Sequence, residues 1–282
     1  MNAGAISERT SELLGRFNLT TAAAELACRL EQAGQHEALR VVLEVLEMEA
    51  EAREQRKIVR LRRASQLPPG KSFDTLDLGA LPLALGRKLR ELAGGDFLEG
   101  AVNLLAFGQP GVGKSHAACA LGHALVEASH AVLFRPAYQL VQELLAAKRD
   151  LTLPRLLRRL DAAELLILDD IGYVKQSAEE AEVLFTLIAQ RYERRSVMIT
   201  SNLVFSEWER IFKEPMATAA AIDRLVHHCT ILEFNPQLSD CRPPAHRRSP
   251  GGWRTGDGKP GCGLGCRYGK AKAPPWQGRH VD

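Results

Sequence analysis

The chain has 282 residues, 45% of them hydrophobic, with 37 basic and 34 acidic side chains and a net charge of +3. That length allows one large domain or two modest ones with enough apolar residues for a core, and so small a net charge means that any nucleic-acid surface must be local. Met1-Asn2-Ala3-Gly4 has neither the basic nor the apolar part of a secretory leader, and no apolar run reaches the ~18 residues of a spanning helix. A soluble, cytoplasmic protein with no membrane partner is expected. The cysteines at 28, 119, 229, 241, 262 and 266 form no disulfide framework, and Cys262 and Cys266 lack the second ligand pair of a zinc site.

Near the N-terminus, Leu13 and Phe17 are spaced for one helical face, and Thr21–Leu30 is rich in alanine and leucine until Gly34 interrupts. A stronger helix follows, with Leu39, Val42, Leu43 and Leu46 at i, i+3, i+4 and i+7. Its continuation carries Arg53, Arg56, Lys57, Arg60, Arg62 and Arg63 and closes at the breaker Leu67-Pro68-Pro69-Gly70. Residues 1–70 are therefore expected to be a small helical domain with a linker. The basic run suits DNA phosphates or an acidic partner, and equally a solvated helix face partly balanced by Glu51 and Glu54. No aromatic residue interleaves with it, which argues against base stacking.

Residues 71–235 alternate between strand and helix patterns. After a weakly helical stretch, the apolar run from Val102 ends in a glycine-rich turn and enters a helix marked by Ala117, Leu121, Ala124, Leu125 and Ala128. Residues 108–115 match G-x-x-x-x-G-K-[ST] in the strand, loop and helix setting that this motif needs. Gly108, Gly111 and Gly113 let backbone N–H groups turn inward, so the loop becomes a concave anion site at the positive end of the helix. Lys114 adds a point charge for the β- and γ-phosphates, and Ser115 can place its hydroxyl on Mg²⁺. The nucleotide-binding stretch runs through Gly108, Gln109, Pro110, Gly111, Val112, Gly113, Lys114, Ser115 and His116.

Further strands are expected at Ala131–Phe134, Leu165–Asp169, Val197–Thr200 and Thr230–Phe234, with helices between them, which argues for a mostly parallel sheet covered on both faces. Tyr138–Lys148 places Leu140, Val141, Leu144 and Leu145 on one helical face. A shorter helix starting at Pro154 carries Arg155, Arg158 and Arg159 on one side, either a ridge that binds a nucleic-acid strand or a solvated face. Leu165-Leu166-Ile167-Leu168-Asp169-Asp170 is a buried strand that delivers two carboxylates to the edge where open α/β sheets bind ligands. Asp169 can hold Mg²⁺, and Asp170 can orient or deprotonate the attacking water.

Ser177-Ala178-Glu179-Glu180 has the form of a capping box, and Ser206-Glu207-Trp208-Glu209 repeats it. Of the polar residues ending the strand at Thr200, Asn202 is the candidate to reach the water and the γ-phosphate. A turn-forming asparagine is the alternative. Arg224 lies on a helix before the last strand and by itself reads as a surface charge. His227 and His228 have no carboxylate or cysteine at ligand spacing in the sequence and read as structural or exposed.

Gly108–Ser115, Leu165–Tyr173, Arg191-Tyr192-Glu193-Arg194 and above all Ile199-Thr200-Ser201-Asn202-Leu203-Val204-Phe205-Ser206-Glu207-Trp208 resemble the IstB-like ATP-binding proteins, the AAA+ helper ATPases of IS21-type insertion sequences. These are related to DnaC helicase loaders and to DnaA. The similarity runs from about residue 10 to Phe234. It implies an α/β AAA+ core with a parallel five-stranded sheet of order 5-1-4-3-2, and a helical N-terminal domain that engages the transposase. It also implies ATP-dependent homo-oligomeric assembly on double-stranded DNA that stimulates strand transfer. By position Asn202 matches the sensor-1 residue, and Arg224 matches the arginine finger that completes a neighbouring subunit's site. A DnaC-type helicase loader is the alternative, disfavoured by the Ser-Glu-Trp segment. A small-molecule kinase would need an acceptor pocket and an arginine-rich lid, and Asp169-Asp170 argues against a passive nucleotide-gated binder. No sensor-2 arginine is found. Residues 236–282, rich in Gly, Pro and Arg, depart from the family pattern and are expected to form an unstructured tail.

Overall fold

The computed structural model describes residues 2–171, 177–203, 208 and 215–234. The 236–282 tail and, apart from Trp208, the second capping-box segment lie outside the described residues.

Three helices open the chain: α1 (Ala3–Arg16), α2 (Thr20–Gln32) and α3 (His36–Ser65). Asn2 caps α1 by accepting from the Ala5 N–H at 2.9 Å. Ile6, Leu13, Ala27, Leu39 and Leu43 form a core shared by the three helices. At 30 residues, α3 is about 45 Å long, and it ends where Gln66 turns left-handed (φ 55) before Pro68 and Pro69. Its distal half leaves this bundle and packs on the sheet domain through Ile58.

The expected basic run is more neutralised than the sequence suggests, and by other acids. Glu49 holds Arg53 at 2.7 Å and Arg56 at 3.0 Å, Glu127 from a different helix holds Arg62, and Glu54 faces Arg16 at 3.4 Å. Arg60 and Arg63 form no ion pair with another described residue.

After α4 (Leu83–Leu92), β1 (Asn103–Gly108) leads into α5 (Lys114–Glu127), then β2 (Val132–Pro136), α6 (Ala137–Arg149), α7 (Leu153–Asp161) and β3 (Leu165–Asp169). They are followed by α8 (Ala178–Arg191), β4 (Ser196–Ser201), α9 (Pro215–Val226) and β5 (Cys229–Phe234). The five strands form one sheet of order β2-β3-β4-β1-β5 with every pairing parallel, which is the expected 5-1-4-3-2 order read from the other side.

Side-chain alternation sorts the strands into two cores. Leu104, Ala106, Ile167, Met198 and Leu232 point to one face, under α5 and α4. Leu105, Leu166, Leu168, Val197 and Ile199 point to the other, under α6, α7, α8 and Trp208. No helix among the described residues is long and apolar enough to cross a membrane. Cys28, Cys119 and Cys229 are free thiols, and burial pushes the Cys119 thiol up to about 12, where it is unreactive.

Arg191 explains one of the motifs singled out in the sequence. It is 1% exposed, and its guanidinium donates to the carbonyls of Leu160 (2.9 Å), Ala163 (3.0 Å) and Ser196 (2.9 Å), with Asp161 at 3.6 Å. One side chain thus ties the end of α7, the end of α8 and the start of β4. Burial lowers its pKa to about 10 despite the opposing charge of Asp161. Arg191→Ala would leave these acceptors unpaired and should lower the unfolding free energy by about 3–5 kcal/mol. Urea denaturation checks this, and a loss below about 1 kcal/mol would mean that the clamp is dispensable.

Candidate nucleotide site

β1 and β5 come closer at their ends than side chains allow. Gly108 pairs with Phe234, and a Cβ on Gly108 would sit 2.4 Å from the Phe234 carbonyl oxygen and 2.8 Å from its Cβ. Glycine is therefore required where the strand opens into the loop. Gly113 then adopts φ 96, a left-handed conformation suited to glycine, as the N-cap of α5. No side chain caps α5, so its first-turn N–H groups are left to an anion at the positive end of the helix.

Lys114 is 9% exposed, and its Nζ donates to the carbonyls of Gly108 (2.7 Å) and Gln109 (2.8 Å). Burial lowers its pKa, while Asp170 and then Asp169 pull it back up. The reciprocal effect appears on Asp170, whose pKa is raised by burial and then by the charge of Asp169, with Lys114 opposing. The lysine and the two carboxylates thus form one electrostatic unit, although they come from different strand ends.

Thr200, on β4, organises that unit. Its hydroxyl donates to Asp169 Oδ1 at 2.7 Å and accepts from the Asp170 N–H at 2.8 Å, and its carbonyl accepts from the Ile171 N–H at 3.1 Å. Asp170 takes a left-handed φ of 66, which turns the chain just past β3 and gives the two adjacent carboxylates different directions. Sequence reading passed over Thr200 in favour of Asn202. The missing signal was strand register: Leu168 faces Ile199, so the next pair is Asp169 and Thr200.

The other expected site residues are placed as follows. Ser115 lies half-buried in the first turn of α5, and His116 Nε2 is 3.0 Å from Thr75 Oγ1 in the stretch before α4. Gln109, Pro110 and Gly111 are exposed, whereas Val112 packs against the core. Asn202 stands just past β4, with Oδ1 shielded from solvent and lacking a hydrogen-bond partner among the described residues. Such an atom is rare unless something else satisfies it.

Arg224 is not part of this group. It lies near the end of α9, donates to the Ala220 carbonyl at 3.0 Å and stacks 5.0 Å from the Phe185 ring centroid. Because β5 starts at Cys229 and all strands are parallel, Arg224 lies toward the edge where strands begin, while the phosphate loop lies where they end. At this beginning edge the reading of His227 and His228 as lacking a carboxylate neighbour is corrected. Glu193 comes to them from the turn before β4, a contact that sequence spacing does not show.

A groove of about 1230 Å³ lies elsewhere, between the end of α3, β2, α6 and α7. Arg155 and Arg159 line it, and neither forms an ion pair with another described residue.

A parallel sheet of this order, with a phosphate loop after β1 and paired carboxylates after β3, defines a P-loop domain of the AAA+ class. The profile of the IstB-like ATP-binding proteins matches residues 11–240, and the chain belongs to that family. It is 43% identical over 223 residues to an insertion-sequence ATP-binding protein of Sinorhizobium fredii, covering 77% of this chain and 75% of the relative. It is 37% identical over 224 residues to the IS21 ATP-binding protein of Pseudomonas aeruginosa, covering 79% and 84%. Among solved structures, the DnaC helicase loader aligns with a TM-score of 0.50 at 19% identity, over 62% of this chain and 98% of that one. AMPPCP-bound DnaA from Aquifex aeolicus aligns with a TM-score of 0.51 at 15% identity, over 61% and 52%. These two likenesses show the shared fold.

Replacing the Thr200 hydroxyl tests the site without touching the phosphate loop. Thr200→Val keeps the shape but frees Asp169 Oδ1 and the Asp170 N–H. ATP turnover should fall about 10–100-fold with ATP affinity changed far less, since positioning partners of this kind typically cost that much. Equal turnover in steady-state assays would show that Thr200 merely fills space.

Proposed function

We propose that this protein is an ATP-hydrolysing, DNA-binding helper of transposition that assembles on duplex DNA and recruits the transposase of its own insertion sequence. The observation carrying this reading is the convergence of Lys114, Asp169 and Asp170 at one sheet edge in a member of this family, with Arg224 toward the other edge. A site whose strongest cation and finger residue face opposite ways within one chain suits head-to-tail assembly, each copy completing its neighbour's site.

The residues fit a magnesium nucleotide. Among the described residues only Oδ1 of Asp169 is hydrogen-bonded, so its other oxygen and the Ser115 hydroxyl offer the hard donors that Mg²⁺ takes. When bound, the ion neutralises charge on the triphosphate. The backbone N–H groups from Gly111 to His116 would cradle the phosphates, and Lys114 would exchange its loop carbonyls for phosphate oxygens. Asp170, whose pKa is raised by desolvation and by Asp169, takes the proton of the attacking water. The unpartnered Asn202 Oδ1 orients that water, and Arg224 reaches the γ-phosphate of the adjacent copy. Arg60 and Arg63 on α3 and the arginines of α7 supply DNA phosphate contacts, and residues 1–70 carry the transposase-binding piece. The names of the insertion-sequence relatives support the choice of partner.

Complementation tests the trans arrangement. Lys114→Ala and Arg224→Ala should each reduce DNA-stimulated turnover by ~10³-fold or more, only the first by abolishing ATP binding. Mixed one to one, they should recover turnover at about a quarter of interfaces, those pairing an intact site with an intact finger. No recovery would rule out a finger acting between copies. Electron microscopy with duplex DNA should show assemblies with ATP that are lost with ADP. Nucleotide-insensitive self-association would overturn the reading, and capture of a replicative helicase in place of transposase would reassign the partner.

A further inference from the structure

At the edge where the strands begin, a glutamate meets two consecutive histidines that are distant from it in sequence, away from the phosphate loop. Glu193 sits in the turn between α8 and β4 with a left-handed φ of 54, while His227 and His228 join α9 to β5. Metal-ligating atoms of the three side chains all lie within 4.8 Å of one another. His227 Nδ1 is 3.7 Å from Glu193 Oε1, and the two imidazoles meet edge to face with centroids 4.4 Å apart. The backbone under them is pinned, since the His227 N–H donates to the Asp223 carbonyl at 2.9 Å and the His228 carbonyl accepts from the Asn103 N–H at 2.8 Å.

We propose that Glu193, His227 and His228 form a binding site for a divalent transition-metal ion of the zinc class. Two imidazoles and one carboxylate favour Zn²⁺, Co²⁺, Ni²⁺ or Cu²⁺ over the harder Mg²⁺, so this site differs in chemistry from the one at the nucleotide. Ligands at 2.0–2.1 Å around a tetrahedral ion stand roughly 3.4 Å apart. All three side chains are exposed, so closing the 4.8 Å spread to that distance would draw on their rotation.

Two surroundings favour a cation. The Tyr192 hydroxyl meets His227 Nδ1 at 3.1 Å, a contact that would orient the ring for an ion taken by Nε2. Glu193 also sets a carboxylate charge beside the imidazoles, with Oε1 3.7 Å from His227 Nδ1. The Arg224 guanidinium is itself engaged by the Ala220 carbonyl and the Phe185 ring. Three protein ligands leave the ion a position for water or for a donor from another molecule. The ion would also staple the turn before β4 to the end of the helix that carries Arg224.

The test uses the full chain, stripped with a chelator and titrated with Co²⁺ while its visible d–d bands are followed. One equivalent should bind, excess Mg²⁺ should not displace it, and Zn²⁺ should raise the unfolding temperature. Glu193→Gln should weaken Co²⁺ binding at least about tenfold, and His228→Ala should abolish the equivalent and the thermal shift. Should His228→Ala fail to fold by circular dichroism, His228→Asn with Glu193→Gln carries the test. The paired Cys262→Ser, Cys266→Ser variant should bind as the parent does, and so should Lys114→Ala. Loss of binding in the cysteine variant, retention in His228→Ala, or no saturable binding in the micromolar range would overturn the assignment. The cluster would then be a hydrogen-bonded clasp only.

Discussion

Every pairing in the sheet is parallel, and that constraint divides the molecule into two working edges. Whatever follows a strand gathers at one edge: the phosphate loop after β1, Asp170 after β3, and Asn202 after β4. Whatever precedes a strand gathers at the other: Glu193 before β4, and Arg224, His227 and His228 before β5. A parallel sheet needs helical crossovers on both faces, so its strands are buried and their side chains are committed to packing. Polar chemistry is thereby pushed to the strand ends. One strand end even gives up its side chain, because Gly108 must lie against Phe234 for β1 to stay paired with β5 up to the loop.

At the nucleotide edge, burial works against both signs of charge at once. It lowers the pKa of Lys114 and raises that of Asp170, and each group partly restores the other. Lys114 is buried whereas Asp169 is half-buried and Asp170 exposed, so the electrostatic cost that an incoming ligand can relieve falls mainly on the ammonium. An anion brought to the lysine and a cation brought to Asp169 relieve both halves together, which suits a triphosphate carrying its own metal. Thr200 holds Asp169 from the side of β4, and Lys114 is engaged by the carbonyls of Gly108 and Gln109.

The strands and the phosphate loop were legible in the sequence because their signals are local. Leu165–Asp169 is an uninterrupted apolar run, and the glycine spacing of residues 108–113 follows from backbone geometry alone. What escaped depends on contacts between distant segments. Thr200 becomes visible only once β3 and β4 are set in register. Glu193 approaches the histidines only because α8, β4, α9 and β5 return to one edge, with 33 residues between Glu193 and His227. One partner of the α3 basic run was hidden for the same reason, since Glu127, which holds Arg62, belongs to α5. Arg191 shows the converse case: a charged residue in a charged stretch that tertiary structure buries as a clamp on carbonyls.

The helix that begins at the phosphate loop is also the one against which the N-terminal piece rests. At its start His116 meets Thr75 of the stretch before α4, midway His123 lies 3.0 Å from the Pro68 carbonyl, and at its end Glu127 and Ser129 take up Arg62 and Glu54 of α3. The Arg62–Glu127 pair is half exposed, and such surface pairs contribute only about 0–1 kcal/mol each. Packing must therefore dominate the attachment. A Cβ on Gly122 would lie 2.8 Å from Leu67 and 3.0 Å from Ile167, so the linker leucine is seated on α5 as closely as a helix without a side chain permits. Close packing at Gly122 therefore joins the base of α3 to the same helix whose first turn faces the phosphate loop.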